Sequence, residues 1–555
     1  MGYHMTELEG KNADRIAAAL EQIARGGSPA KLDGVFAAMV DGENTTKLFL
    51  QFMPLALEES SRFVALERFF KLIGAGWADK VYTLRGPDWR VSNGATALTP
   101  LADLADKQAA QLCTDTTAPV HDWADDDPMT WYCRANALSL ANGDMNVLAI
   151  EGIDDTFDIT GNLAPVYTFR LALWQVHFTD GSYEYKTFAT VQQGGMRPWA
   201  AAVRPDNSIR PMVWQATFGG SKTSDGKLTS GAGNLLAINT SATAGLTAAR
   251  KWDAYEGVYS ETDTDVILDL WQLRHFDLEN SGILEGCTSY YLDYTVAMAE
   301  DEVRSVVLTA AQGANILIGS TLDVGTEARN GSIARARVLL KENFTQGETE
   351  YTRVFLDVAE DFNVTEGAHA ATMPWFTGTT EALPGRKDGS IYHLTNGKTP
   401  ARIAGVELLD GAYAVGLDPL WNSDYNAERS PASIYTVYAC RDSEKQAGSI
   451  TANYEAVATF TSTVSGWQYV KHFEVRDDGM QVPDALGGSG STYMKSAFHF
   501  GGSSGVRAPW VFGSLNYGAL FGLACAAGYF TPGDADWDER PRLAGSGKKR
   551  GEWAA

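Results

Sequence analysis

Several stretches of the chain carry residue types at spacings that could do chemistry. Gly501-Gly502-Ser503-Ser504-Gly505 has the G-x-S-x-G form of a hydrolase nucleophile elbow. That device needs a strand before the serine, a helix after it, and an acid and then a histidine further along. No histidine follows His499, so the general base is missing and a flexible Gly/Ser turn is the better reading. Asp534-Ala-Asp536-Trp-Asp538 has the one-three-five carboxylate rhythm of a calcium loop, but Glu539 stands where the sharp-turn glycine belongs and Gly545 where the bidentate glutamate belongs. It reads as a solvated acidic loop, as does Asp125-Asp126-Asp127 before Pro128. The 8 histidines form no HExxH or other short metal spacing. The 5 cysteines, Cys113, Cys133, Cys287, Cys440 and Cys525, are scattered without a CxxC pair. Cys525 lies in the apolar run Gly522-Leu-Ala-Cys-Ala-Ala-Gly with no cation beside it, the setting of an inert buried thiol. No catalytic residue, metal or cofactor is expected.

Charge narrows the partners. With 45 Lys+Arg against 69 Asp+Glu the net charge is −24, and no basic run exceeds Lys548-Lys549-Arg550. No nucleic-acid ligand is therefore expected, because phosphate neutralisation needs clustered positive charge. No apolar run approaches the roughly 18 residues of a membrane span, so no membrane insertion is expected. No secretory signal is visible, and the cysteine usage suits a reducing compartment. Met1-Gly2-Tyr3-His4 reads as an added leader before a start at Met5. The product is expected to be soluble and made in a cytoplasm.

The elements that must position any site follow from periodicity. A length of 555 residues with 45% hydrophobic content suggests three or four packed domains. From Thr6 to about Trp77, Ile16, Leu20 and Ile23, then Phe63, Leu66, Phe69, Phe70 and Leu72, recur at helical spacing. Short strands and loops are expected on to about Gly161. Asp180-Gly181 between two alternating runs predicts a hairpin, since glycine supplies the positive φ of a tight turn. Helical spacing returns over Asp263–Phe276. Val306-Val307-Leu308, Ala314-Asn-Ile-Leu-Ile-Gly and Thr352-Arg-Val-Phe-Leu-Asp-Val are strand-like. The expected class is α+β, with a helical N-terminal region (6–80), a β-rich domain with helices for anchoring or assembly (81–301) and a small β module (302–366). A Gly-, Ser- and Trp-rich ligand-binding domain (367–555) completes it.

The last block, from Phe512 to Leu543, is punctuated by Gly513, Gly518, Gly522, Gly528 and Gly533, with aromatics between them at neither helical nor strand period. A buried strand pair with tight turns would account for it. So would a loop surface presenting Tyr, Phe and Ser, as binding paratopes do.

This block resembles the end of the variable proteins of diversity-generating retroelements. The resemblance rests on Trp510, Phe512-Gly513, Asn516, Gly518-Ala519, Gly522-Leu523, Pro532, Trp537 and Pro541-Arg542-Leu543. Upstream, Gly405-Val-Glu-Leu-Leu-Asp-Gly-Ala-Tyr, Gly466-Trp467-Gln468-Tyr469 and Gly487-Gly488-Ser489-Gly490-Ser491-Thr492-Tyr493 are similar to framework strands of the same domain. It implies a C-terminal C-type lectin-like domain, of the type shared with formylglycine-generating enzymes, with a variable region at about 507–543. Those enzymes use a closely spaced cysteine pair that Cys525 lacks. In the family, adenine-randomised AAC- or AAT-type codons never yield Trp, Met, Lys, Gln or Glu. Val511, Ser514, Tyr517, Leu520, Phe521, Gly528, Tyr529, Phe530, Asp534, Asp536 and Asp538 satisfy that rule and are the candidate ligand-binding positions. Trp510, Gly513, Gly518, Gly522, Trp537 and Arg542 are the candidate framework.

The resemblance implies a hypervariable receptor-binding protein of a phage or prophage. It would sit on the virion, bind a host cell-surface protein or glycan, contact other virion proteins and form a homo-oligomer, a trimer being the family's pattern. Two rivals stay open. One is a ligand-binding protein displayed on a bacterial surface. The other is a virion enzyme that degrades glycans through a carboxylate pair, which would need two carboxylates about 5–10 Å apart.

Overall fold

The Asp180-Gly181 hairpin forms as its turn chemistry requires. Trp174–Asp180 pairs antiparallel with Tyr183–Ala189, Asp180 facing Tyr183, and Gly181 takes φ +63°, which its missing Cβ permits without strain. In this computed structural model the described residues are 79–545, apart from 93, 111–126, 130, 205, 281–287, 383–399, 441, 465, 477–478, 501 and 513–521. The hairpin is the middle of a five-stranded sheet that also holds Thr99–Ala102, Val81–Pro87 and Arg197–Pro198. Beside it Met145–Ile150, Cys133–Ser139, Val166–Leu171 and Met212–Ala216 make a four-stranded sheet.

Helix Glu261–His275 falls where helical spacing predicts it and starts with a Ser260/Asp263 capping box. Every residue between its first and last is buried, so it is a central strut rather than a surface helix. Val266, Leu270 and Leu273 pack with Tyr82, Leu84 and Phe188, whereas Ile267, Leu268 and Trp271 pack with Trp421, Tyr435 and Phe500. Its polar residues are matched. Asp269 accepts from Trp199 Nε1 and Gln481 Nε2, both at 2.9 Å, and Lys186 Nζ donates to Gln272 Oε1 at 2.9 Å. Asp265 Oδ2 likewise accepts from Gln481 N at 3.1 Å, the kind of partner most buried polar groups find.

Residues 293–373 build a six-stranded sheet in the order Asp293–Thr295, His369–Met373, Thr321–Gly325, Ile333–Gln346, Thr349–Asp357, Ser305–Thr309. It has its own core of Val306, Leu308, Leu322, Val338, Val354 and Leu356. The strand expected at Ala314-Asn-Ile-Leu-Ile-Gly does not form. Helix Ala310–Ala314 takes its first residue, nucleated by a Thr309/Gln312 capping box. Lys341 Nζ donates to the carbonyls of Gly313 and Ile316 on either side of Ala314.

The C-terminal region carries a seven-stranded sheet in the order Gln481–Leu486, Gly466–Val475, Ala497–Phe500, Ala526–Ala527, Trp510–Val511, Tyr413–Val415, Glu539–Pro541. A four-stranded sheet of Glu455–Ser462, Ser433–Ala439, Leu420–Asp424 and Gly505–Arg507 adjoins it. From Pro400 to Gly545 the described residues contain one short 3-10 turn, Ser443–Lys445, and no α-helix.

These findings correct the expected α+β class and, with it, the lectin-like terminal domain. Strand accounts for 43% and helix for 9%, with 4 helices among the described residues, so the protein is mostly β with many antiparallel sheets. The helical N-terminal region at 6–80 lies almost wholly outside the described residues. In what remains, Gly, Asp and Pro interrupt nearly every apolar run before a helix could propagate. The segment Gly487–Tyr493, likened above to a framework strand, is a loop. The C-terminal end is also built into the body. Leu543, Trp510 and Ala527 share one core with Phe169, Trp214 and Val258, and Gly545 N donates to Asp263 Oδ2 at 3.0 Å.

Candidate functional site

Three short strands carry the last block. Trp510–Val511 lies between Tyr413–Val415 and Ala526–Ala527, antiparallel to both, and Glu539–Pro541 runs parallel to Tyr413–Val415 on its other side. Strand order thus places the loop 528–538 between two anchored ends. The Trp510 ring is buried and stacks flat on Phe530 with centroids 3.3 Å apart, while Tyr413 closes its other flank at 5.5 Å. Tyr529 projects outward, 48% exposed. It meets Phe530 edge-on at 5.2 Å and His499 at 5.9 Å, and His499 meets Trp467 at 5.1 Å. Burial pushes His499 below its ordinary pKa, so this aromatic row is neutral.

The acidic loop follows directly. Thr531 N donates to Asp534 Oδ2 at 2.7 Å and Trp537 N to Asp536 Oδ1 at 2.7 Å. The Asp536 carbonyl accepts from Asn239 N at 2.9 Å and Glu539 N at 3.3 Å. Asp534 and Asp536 are exposed, Asp538 and Trp537 half-buried, and Glu539 wholly buried. Burial and the neighbouring Asp536 push Asp538 up to about 7. Burial, then Asp538, Asp534 and Asp536, push Glu539 up to about 9. From the middle sheet's turn, Arg329 lays its guanidinium over the Trp537 ring at 4.2 Å and over Tyr290 at 5.6 Å, the cation–π geometry. Tyr290 and Tyr291 beside it are 66% and 75% exposed.

The candidate binding positions therefore separate. Tyr529, Phe530, Asp534, Asp536 and Asp538 lie together on one accessible edge. Val511 and Gly528 do not belong to that edge. Val511 is buried in its strand and lines a small apolar cavity with Trp421, Phe473, Phe498 and Cys525. A Cβ on Gly528 would overlap the Trp421 ring. Gly528→Ala is accordingly expected to destabilise the fold by about 1–3 kcal/mol, read as a lowered urea midpoint; an unchanged midpoint would mean the ring can step aside. Ser514, Tyr517, Leu520 and Phe521 lie outside the described residues, as do Gly513 and Gly518 of the framework. Of the remaining framework, Trp510 is buried, Gly522 takes φ +144°, and Trp537 lies under Arg329. Arg542 is buried with Nη1 on the Glu407 carbonyl at 3.1 Å and Nη2 on that of Ala216.

The chemical motifs stay bland. Ser503 and Ser504 form a turn into strand Gly505–Arg507; Arg507 Nη2 donates to Ser503 Oγ at 2.6 Å and Tyr425 N donates to Ser504 Oγ at 3.0 Å. A strand follows the serine where an elbow needs a helix. Among the described residues no group of three or more His, Cys, Asp or Glu side chains is placed to hold a metal. Cys133, Cys440 and Cys525 are buried. Residues that sequence reasoning missed are Arg329, Tyr290, Tyr291, Trp467 and His499, which reach this edge from other sheets and turns and leave no local signal. A scan against protein-family models gives no match, and a search of curated proteins gives none either.

Proposed function

We propose that the protein is a hypervariable receptor-binding protein of a phage or prophage, which offers the exposed side chains of its last segment to a host-surface protein or glycan. On this reading it binds and does not catalyse, sits on the virion against other virion proteins, and works as a homo-oligomer. The observation that supports it is the division of labour within the last block. Trp510, Gly528, Glu539, Arg540 and Arg542 are buried while Tyr529, Asp534 and Asp536 between them are exposed. Exposed substitutions usually change stability by no more than about 0.5 kcal/mol, so those positions can vary over an unchanging backbone. An exposed tyrosine beside aromatic neighbours is also the kind of residue that dominates binding energy, and several copies on one particle would add avidity.

Deep sequencing of the last segment in its native population is the test. Substitutions should concentrate at Tyr529, Phe530, Asp534, Asp536 and Asp538, with Ser514, Tyr517, Leu520 and Phe521, and spare Trp510, Gly528, Arg540 and Arg542. A uniform segment with no template repeat nearby would sink the diversification reading. Tyr529→Ala should weaken host-cell binding at least about tenfold, as loss of a hot spot does.

A further inference from the structure

Side chains stitch the five-stranded sheet to the hairpin formed by Gly466–Val475 and Gln481–Leu486. Gln175 Nε2 donates to the Gly479 carbonyl at 3.3 Å, and Arg197 Nη1 to the Arg476 carbonyl at 3.2 Å. The backbones are close here as well, since a Cβ on Gly479 would lie 2.9 Å from the Pro198 carbonyl oxygen. Neither hydrogen bond depends on pH near neutrality, because an amide does not titrate and a guanidinium keeps its charge. A further stitch, at His472, is different. From the first hairpin strand its ring turns Nε2 to Glu184 Oε1 at 2.7 Å and Nδ1 to Asp484 Oδ1 at 2.6 Å. Glu184 belongs to the sheet and Asp484 to the second hairpin strand. The side chains of His472, Glu184 and Asp484 are 14%, 17% and 25% exposed, so water gives them limited relief. The Trp89 ring stacks on the imidazole at 5.4 Å.

The other charged groups nearby are engaged elsewhere. Lys186 Nζ, from Glu184's strand, donates to Gln272 Oε1 at 2.9 Å. Arg90, beside Trp89, pairs with Asp88 at 3.2 Å. On the hairpin, Lys471 lies over the Tyr493 ring at 5.4 Å and Glu474 is exposed. Burial holds His177, from strand Trp174–Asp180, well below its ordinary pKa, so it brings no charge. His472 therefore has to serve both carboxylates itself. An imidazole donates from both nitrogens only when it carries both protons. The neutral ring must turn a lone pair on one carboxylate, where the charged ring made a charge-assisted hydrogen bond.

We propose that His472 is a proton-operated clasp: its imidazolium holds the sheet to the hairpin, and loss of one proton opens this seam. The hairpin itself stays folded, because Val470, Phe473, Met480 and Val482 are anchored in the core with Trp421. Burial works against the second proton and the two carboxylates outweigh it. The folded value is thus raised, and the clasp's contribution is complete below the free-imidazole value of 6.5 and lost as pH climbs through the higher value of the closed seam. The device is independent of what the last segment binds.

Hydrogen exchange of the full chain, read peptide by peptide by mass spectrometry and corrected for the intrinsic pH dependence of amide exchange, tests it at about pH 6 and about pH 8.5. Peptides from 174–189 and 466–486 should lose at least about fivefold in protection at the higher pH, more than the rest of the chain. His472→Phe, which keeps a ring against Trp89 but cannot donate, should leave the seam open at both values. Glu184→Gln separates a clasp from mere packing. Its amide N–H can donate to the Nε2 lone pair of the neutral ring while Nδ1–H still serves Asp484, so the seam should stay closed at the higher pH. Seam protection equal at both values in the wild type, a loss spread evenly over all peptides, or a fall as steep in Glu184→Gln as in the wild type would each overturn the clasp.

Discussion

Arg540→Met is expected to lose about 3–5 kcal/mol of stability, because it strips the counter-charge from a carboxylate that water cannot reach. Arg540 Nη2 lies 2.5 Å from Asp410 Oδ2, and both side chains are 0% exposed. A second contact joins Nε to Oδ1 at 3.3 Å. Packing leaves the pair no escape: a Cβ at Gly219 would overlap both groups, so a glycine is required where the chain passes them. Asp410 also accepts Trp375 N on its backbone carbonyl at 2.8 Å, which ties the pair to the middle sheet. The double variant Asp410→Leu with Arg540→Met should recover most of the loss, since an apolar pair of similar volume avoids the desolvation that the ion pair must overcome. Urea midpoints of wild type, single and double variants decide it. A single variant within about 1 kcal/mol of wild type would mean the pair behaves like a surface one.

Stability should fall steeply as pH rises from about 6.5 to 9. Several groups have folded pKa values above their unfolded ones, Asp538 at about 7 among them. Burial pushes Glu256 up to about 7 although it accepts from Ser139 N and Tyr167 Oη. Burial likewise pushes Asp263 up to about 7, and Glu539 up to about 9. For His472 burial alone would lower the value. Asp484 on Nδ1 at 2.6 Å and Glu184 on Nε2 at 2.7 Å outweigh it and hold the ring above its usual range. A raised folded pKa gives stability that is fully present below the unfolded value and lost as pH climbs through the folded one. In acid the opposite behaviour of two histidines intervenes. Burial lowers His177 well below 6.5 and His275 to about 3, so both resist protonation and favour the fold above pH 6.5 at the expense of lower pH. Their contributions are complete by about pH 6.5, which leaves the window above it to the raised groups. The expected loss there is on the order of 3–5 kcal/mol. Urea midpoints across the window test it, and Glu539→Gln should flatten the upper part. A midpoint constant from pH 6.5 to 9 would refute the assignment.

What was legible beforehand was local. The Asp180-Gly181 turn depends on one residue's allowed φ, and the helix at Glu261–His275 on its cap and spacing, so both could be read within a few residues. Strands at Val306–Leu308 and Thr352–Asp357 were equally plain. The α+β expectation failed because it leaned on residues 6–80 and on a family likeness. The described chain instead answers to frequent Gly, Asp and Pro, which favour short strands. The failed strand at Ala314–Gly319 shows the limit: an apolar run of six looks the same whether it extends or turns, and a capping box upstream with Lys341 from another strand decided the matter.

At the candidate site the division is sharper. Residue type and codon logic offered Tyr529, Phe530 and the three aspartates of the last block as variable positions and set Trp510 and Trp537 apart as framework, while Arg542 joined the framework only through the family likeness. Only the tertiary structure removed Val511 and Gly528 from that set, since the Trp421 ring that excludes a side chain at Gly528 comes from a different sheet. It alone joined Arg540 to Asp410 across a separation of 130 residues, and it alone left Glu539 buried without a partner. Burial and charge pairing are properties of neighbours brought together by folding, whereas turns and caps are properties of adjacent residues. The sequence therefore determined which side chains the last block carries, and the packing decided which of them are exposed.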